Sequence, residues 1–213
     1  MTLRIVGTAA LLLCAGCFSS STPAPKAWMV APTSDPPPAV PQPGAFSTTR
    51  QGTVAVSAPF DSTSFIVRRA DGSVVRDPYN VFAAPPSALL RGAVRARLEA
   101  DGRFGRVVPQ SSSASADVQV EALVGDLSID CSDPSSRTAR AAVSLDVIRV
   151  GRGGRDVILS GEGAGSADAS KGDYSAAFTQ AFDAALVAAL RSLKEQPPAK
   201  PLEPIQKTKG ENK

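Results

Sequence analysis

The apolar residues of this chain switch between two spacings, and that alternation constrains its fold more than any other feature. Val54 and Val56 sit two apart within Thr53 to Ala58, the spacing of a half-buried strand. Ser64 to Arg69 and Ser73 to Arg76 flank the turn residues Ala70-Asp71-Gly72 and read as a hairpin. After Pro85 and Pro86 the period becomes 3.6: Leu90, Val94 and Leu98 fall four apart with Ala93 beside them, while Arg91, Arg95 and Glu99 point elsewhere. Proline in the first turn and Gly102 at the end bound a helix over 86–101. Strand spacing returns in Phe104 to Val108, Ala116 to Cys131, Arg137 to Val150 and Asp156 to Ser160. Helical spacing closes the series through Tyr174, Phe178, Phe182, Leu186, Leu190 and Leu193, with Asp173 as N-cap. Strands, helix, strands, helix imply an α+β fold, an antiparallel β-sheet with two α-helices packed on one face.

The segment 116–131 makes a sharper demand. Val118, Val120, Ala122 and Val124 occupy even positions, whereas Leu127, Ile129 and Cys131 occupy odd ones. A strand keeps one buried face through such a phase change only by taking in an extra residue, so Gly125 at the switch predicts a β-bulge or sharp bend. In the next strand Ala141, Val143, Leu145 and Val147 take the inward phase. The uncovered sheet face must meet water or a partner. Leu123 and Ile148, on the outward phase, mark a candidate partner surface, with scattered surface apolars as the alternative.

The N-terminus decides the compartment. Met1 to Arg4 is a short basic region, and Ile5 to Leu13 is an unbroken run of apolar or small residues. Its nine residues are too few to span a bilayer, which needs ~20. Ala15-Gly16-Cys17 then has the form of a lipobox, in which small residues admit the peptidase and the thiol accepts a diacylglyceryl group. Cys17 is the expected lipidation site; Cys14 follows bulky Leu13 and fits poorly. Two or more acyl chains anchor stably where one does not. Phe18 in place of Asp points to the outer membrane, so the mature protein is expected on its periplasmic face. With Cys14 removed and Cys17 lipidated, Cys131 remains alone and cannot form an internal disulfide.

The resulting organisation is a signal peptide over 1–16, a lipidated Pro/Ser-rich stalk over 17–51, an α+β domain over 52–195 and a disordered tail over 196–213. Eight of the chain's 18 prolines fall within the stalk, a composition that favours extended polyproline geometry. Ala27-Trp28-Met29-Val30 interrupts it, and an exposed Trp and Met predict a short edge strand near 27–31 paired onto the domain.

Chemistry is narrowly bounded. The chain has no His, which removes the Ser-His-Asp and Cys-His triads and every His-containing zinc site. Twenty-three Lys and Arg against 20 Asp and Glu, with the excess in the tail, do not suggest nucleic-acid binding. Gly151-Arg152-Gly153-Gly154 joins two strands and opens no helix, so it reads as a hairpin turn and not a phosphate loop. Asp126 and Asp130 leave one face of a strand but lie ~13 Å apart, too far to share a proton. Arg68 and Arg69 read as solvated residues beside a turn. Asp117, Glu121 and Asp126 lack the spacing of a calcium loop. A non-enzymatic protein without cofactor or metal is expected.

The ordered set of features resembles the ABC-type transport auxiliary lipoproteins, the group of paraquat-inducible lipoprotein C. The lipobox is followed by Trp28-Met29-Val30-Ala31-Pro32, where that family has Tyr-Tyr-x-Leu-Pro. Val81-Phe82-Ala83-Ala84-Pro85 precedes the first helix, where it has Leu-Trp-Ala-x-Pro. Val118-Gln119-Val120-Glu121-Ala122-Leu123 and Gly125 stand where it has Val-x-Val-x-Glu-Phe-x-Gly. The resemblance spans about residues 15 to 194. It implies a lipoprotein working with MCE-domain or ABC-transporter proteins that move lipid between membranes, assembled in some members as a ring of identical copies. Two other roles compete: an assembly lipoprotein for an outer-membrane barrel, as in lipopolysaccharide export, and an envelope protein binding peptidoglycan through its basic tail.

Overall fold

A computed structural model describes residues 23–31, 46–151 and 154–196. Nine strands and two helices follow one another as β1 (Lys26–Trp28), β2 (Thr48–Val56), β3 (Ser64–Arg69), β4 (Val74–Phe82), α1 (Pro86–Asp101), β5 (Arg106–Val108), β6 (Val118–Cys131), β7 (Thr138–Gly151), β8 (Gly154–Asp168), α2 (Tyr174–Arg191) and β9 (Lys194–Glu195). All nine strands belong to one sheet, ordered β1-β4-β3-β6-β7-β8-β9, with β2 on β6 and β5 on β2. The fold is the α+β sheet with two helices that the spacing predicted; the first helix and the turn between β3 and β4 fall where expected, while β4 runs on to Phe82, six residues past the expected end at Arg76.

Pairing direction differs from the antiparallel expectation. β6, β7, β8 and β9 form an antiparallel meander, but β2 and β3 both run parallel to β6, β5 runs parallel to β2, and β1 runs parallel to β4. The sheet is mixed. Alternation along a strand is the same for parallel and antiparallel neighbours, so it could not give direction; β6, about 46 Å long at ~3.3 Å per residue, carries two shorter strands end to end along one edge. β2 pairs with Val118 to Val124, and β3 takes over from Ser128 to Cys131. At the joint the β6 ladder to β7 shifts register between Val124 and Asp126, the bulge at Gly125 that the phase change requires. There the Ser57 amide, just past the end of β2, donates to the Val124 carbonyl (2.9 Å).

The core follows from that switch. Val118, Val120, Ala122 and Val124 before the bulge, and Leu127 and Ile129 after it, are all buried against Ala139, Ala141, Val143, Leu145 and Val147 and against the helices. α1 ends on Gly102 in the left-handed region (φ 73), as its sequence position demands. α2 begins at Asp173, whose side chain accepts from the Ala176 amide, and it buries Phe178 and Phe182, each worth about 2–3 kcal/mol of apolar transfer. Arg97 of α1 makes a bidentate ion pair with Asp183 of α2, joining the helices.

α2 lies unusually close to β8. A Cβ placed on Gly163 would stand 2.3 Å from both the Ala185 carbonyl oxygen and the Ala189 nitrogen, and Gly161 and Gly165 are as tightly confined. Glycines at every second position of β8, facing an alanine-rich helix, let backbone pack on backbone.

The short strand expected near 27–31 is present. β1 pairs with β4 in the register Lys26 to Asn80, Ala27 to Val81 and Trp28 to Phe82. Trp28 donates from Nε1 to Asn80 Oδ1 (3.0 Å) and meets Tyr174 edge-on at 5.4 Å between ring centroids. Val30 is buried, the Met29 carbonyl accepts from Ser175 Oγ, and the Ala31 amide donates to Thr179 Oγ1. Phe46 stacks on Phe104. Within the expected stalk, residues 26–31 and 46–51 are therefore packed on the domain. Cys17 and the prolines of 32–45 lie outside the described residues.

Candidate functional site: the uncovered face of the sheet

The helices cover one sheet face, leaving the other as the candidate surface. On β6 it carries Gln119, Glu121 and Leu123 before the bulge and Asp126 and Asp130 after it, with Ser128 on the same phase but fully buried. On β7 and β8 the direct partners are Arg140 with Ser166, Ala142 with Ala164, Ser144 with Glu162 and Asp146 with Ser160. The Ala142–Ala164 pair beside Gly125 removes a row of side chains and leaves two adjoining shallow hollows. One of about 410 Å³ is bounded by Asp126, Asp130 and Arg140, and one of about 380 Å³ by Gly125, Ser144 and Glu162.

Three ion pairs lie on this face. Arg68 donates to Ser128 Oγ (3.2 Å) and pairs with Asp126 (3.2 Å), while its guanidinium sits 5.7 Å from the Phe60 ring centroid. It is thus built into the sheet surface, in contrast to the solvated-turn expectation, whereas Arg69 stands exposed at the turn. Asp130 pairs with Arg140 (2.8 Å), and hydrogen bonds from Ser132, with Arg140 adding to them, pull its carboxyl down to about 2. Glu121 pairs with Arg155 (2.6 Å), and Asp146 accepts from Ser160 Oγ (2.6 Å). Asp117 lies away from these groups and accepts from Ser47 and Thr48, chiefly the Thr48 amide, which lowers its pKa. Among the described residues no group of three or more His, Cys, Asp or Glu is placed to hold a metal.

Of the two residues predicted to mark a partner surface, Leu123 is 46% exposed in the middle of the face. Ile148 is only 6% exposed, which corrects its assignment to an accessible surface. It lies on a central strand between Gln119 of β6 and Val157 of β8, at the point where the β7–β8 register shifts, so Val147 and Ile148 are both buried in succession. Sequence alternation cannot register such a shift when it arises in the neighbouring strand. Cys131 is half-buried and unpaired, and burial is the main cause raising its thiol pKa. Gly151 and Gly154 are direct partners closing the β7–β8 hairpin, as predicted. Among the described residues no helix is long and apolar enough to cross a membrane.

The fold class is a single mixed sheet carrying two helices on one face and bearing a charge-laced open face. No family model and no curated protein matches the chain. Among solved structures it is similar to protein XCC0632 from Xanthomonas campestris, described with the family model DUF330, at 18% identity and a TM-score of 0.53, covering 75% of this chain and 86% of that one. A second, described only as an uncharacterized protein, aligns at 12% identity and a TM-score of 0.44 over 67% of this chain and 81% of that one. The first likeness is one of fold.

Proposed function

We propose that this chain is a non-enzymatic lipoprotein of the bacterial outer membrane, anchored through Cys17 and acting as an auxiliary component of an ABC- or MCE-type system that moves lipid between membranes. The observation that carries this reading is the ordered series of lipobox, Trp28 strand, Val81-to-Pro85 segment and Val118-to-Gly125 strand. Its supporting geometry is that two of these motifs, far apart in sequence, are register partners: Trp28 faces Phe82, and the Ala83 amide donates to the Trp28 carbonyl (2.8 Å). An open face on which Asp126, Asp130 and Glu121 are engaged by Arg68, Arg140 and Arg155 suits docking better than acid–base chemistry.

The test is palmitate labelling and membrane fractionation of the wild type and Cys17→Ser, followed by co-purification in mild detergent. Labelled protein in the membrane fraction that loses both label and membrane association on Cys17→Ser, and that brings down an MCE-domain or ABC-transporter protein, is the expected result. Recovery of a barrel protein in their place moves the reading to barrel assembly. An unlabelled protein in the soluble fraction ends it.

A further inference from the structure

We infer that the β1–β4 edge of the sheet is a lipid-facing surface that lies against the bilayer carrying the anchor. This rests on the proposed lipidation of Cys17 and goes beyond it, because an anchor alone leaves the orientation of the domain open. Only six Cα steps separate Cys17 from Pro23, the first described residue, so at most about 22 Å of chain can lie between them. Three residues later the chain is already paired to β4 at Lys26, and Trp28 and Val30 fix it to the domain. The tether is therefore shorter than the ~46 Å length of β6, and it enters at the outermost strand on one side of the sheet. A domain so held cannot stand clear of the membrane, and the side next to the tether is the β1–β4 edge.

The chemistry of that edge fits a lipid surface. Among the described residues six large apolar side chains are exposed, and three of them lie on this edge: Met29 (53%), Val74 (49%) and Tyr79 (46%). An exposed tyrosine suits the membrane interface, where its ring is shielded and its hydroxyl stays wet. Lys26, Arg69 and Arg76 are exposed alongside, suited to anionic headgroups. The nearby acids are engaged by hydrogen bonds: Asp77, half-buried, accepts from the Tyr79 and Asn80 amides and from Asn80 Nδ2, and Asp71, exposed at the turn, accepts from the Ser73 amide. β1 pairs only with Asn80 to Phe82, leaving residues 74–79 of β4 without a strand on that side among the described residues, where hydrated headgroups can satisfy the backbone. Val157 on β8 lies five strand spacings from β1, about 24 Å away.

The experiment uses the full-length lipidated protein with Cys131→Ser, carrying Tyr79→Cys, Met29→Cys or Val157→Cys labelled with an environment-sensitive fluorophore. It is reconstituted on vesicles of phosphatidylethanolamine and phosphatidylglycerol containing headgroup spin-labelled lipid. Several-fold stronger quenching at positions 79 and 29 than at 157 is expected, with a blue shift on reconstitution. Equal and weak quenching at all three positions in protein that still floats with the vesicles overturns the orientation and leaves the anchor standing. Protein that does not float fails the anchor and the orientation with it. Labels at 79 and 29 that become shielded only when a second protein is added assign the edge to strand addition and overturn the lipid reading.

Discussion

Gly163 and Gly125 are alike in sequence, each set in a strand of alternating residues, and opposite in space. Gly163 has helix backbone 2.3 Å from where its Cβ would be, whereas nothing lies within 4 Å of a Cβ on Gly125. Gly163→Ala should destabilise the domain by about 3 kcal/mol or more, because the clash is with α2 backbone and no side chain can swing away. Gly125→Ala should fall within about 0.5 kcal/mol of wild type, since the bulge there needs no special dihedral. Urea midpoints of the two variants check this, and comparable losses would show that the close helix packing is not limiting. Arg97 is the second such residue. A charged residue outside the Leu90, Val94 and Leu98 series, it is nearly buried against Asp183, so Arg97→Ala should cost about 3 kcal/mol in the same assay, with Arg97→Lys intermediate. A residue-scale signal was also overlooked. Asp-x-Ser occurs six times in the described residues, and at 71–73, 130–132, 133–135 and 168–170 the Asp accepts from the Ser amide two residues on, whereas Asp126 accepts from the Ser128 hydroxyl and Asp173 caps a helix through the Ala176 amide. Those four are Asx turns, legible from spacing and composition.

At the scale of elements, the edge strand β1 was visible because an exposed Trp28 and Met29 suit a solvated proline-rich stretch poorly; Trp28 does pack on the domain and Val30 is buried, whereas Met29 stays 53% exposed. Its hold depends on Trp28. Trp28→Ala removes the bond to Asn80 and the edge-on contact with Tyr174, at a cost of about 2–3 kcal/mol if β1 remains docked. If β1 frays independently, hydrogen exchange reports it first. The Ala83 amide, which donates to the Trp28 carbonyl, should exchange at least about tenfold faster, while amides of β6 and β7 stay protected. Uniform loss of protection would mean that β1 is part of the cooperative core. The far half of β8 was missed because Gly161, Gly163 and Gly165 read as loop chemistry. Their meaning comes from α2, which requires their bareness.

For the whole molecule, the lowered carboxylates act together. Asp71, Asp130, Asp133 and Asp168 are held below the usual range mainly by hydrogen bonds from the Ser two residues on, and Asp117 mainly by the Thr48 amide. A carboxylate whose pKa is lower folded than unfolded contributes in full above about pH 4, and that contribution is lost as pH falls through the folded value, about 2 for Asp130. The urea midpoint should therefore fall steadily between about pH 5 and pH 2. An Asp130→Asn, Asp133→Asn, Asp168→Asn triple variant should be less stable than wild type at pH 6 and approach it near pH 2. Parallel curves for the two proteins across that range would remove these groups as the cause.

Sequence by itself determined the number and order of the principal strands and helices, the break at Gly125, the candidate anchor at Cys17 and the phase that places Val118, Val120 and Leu127 inside. Each is local: alternation, capping and turn chemistry act between residues a few positions apart. Only the tertiary structure decided strand direction, the burial of Ile148, the pairing of Arg68 with Asp126, and the contact between Gly163 and α2. Side-chain alternation is the same for parallel and antiparallel neighbours, and a register shift or a close approach is a property of two segments at once. The length of β6 was legible, but that β2 and β3 share one of its edges could only emerge when the strands met.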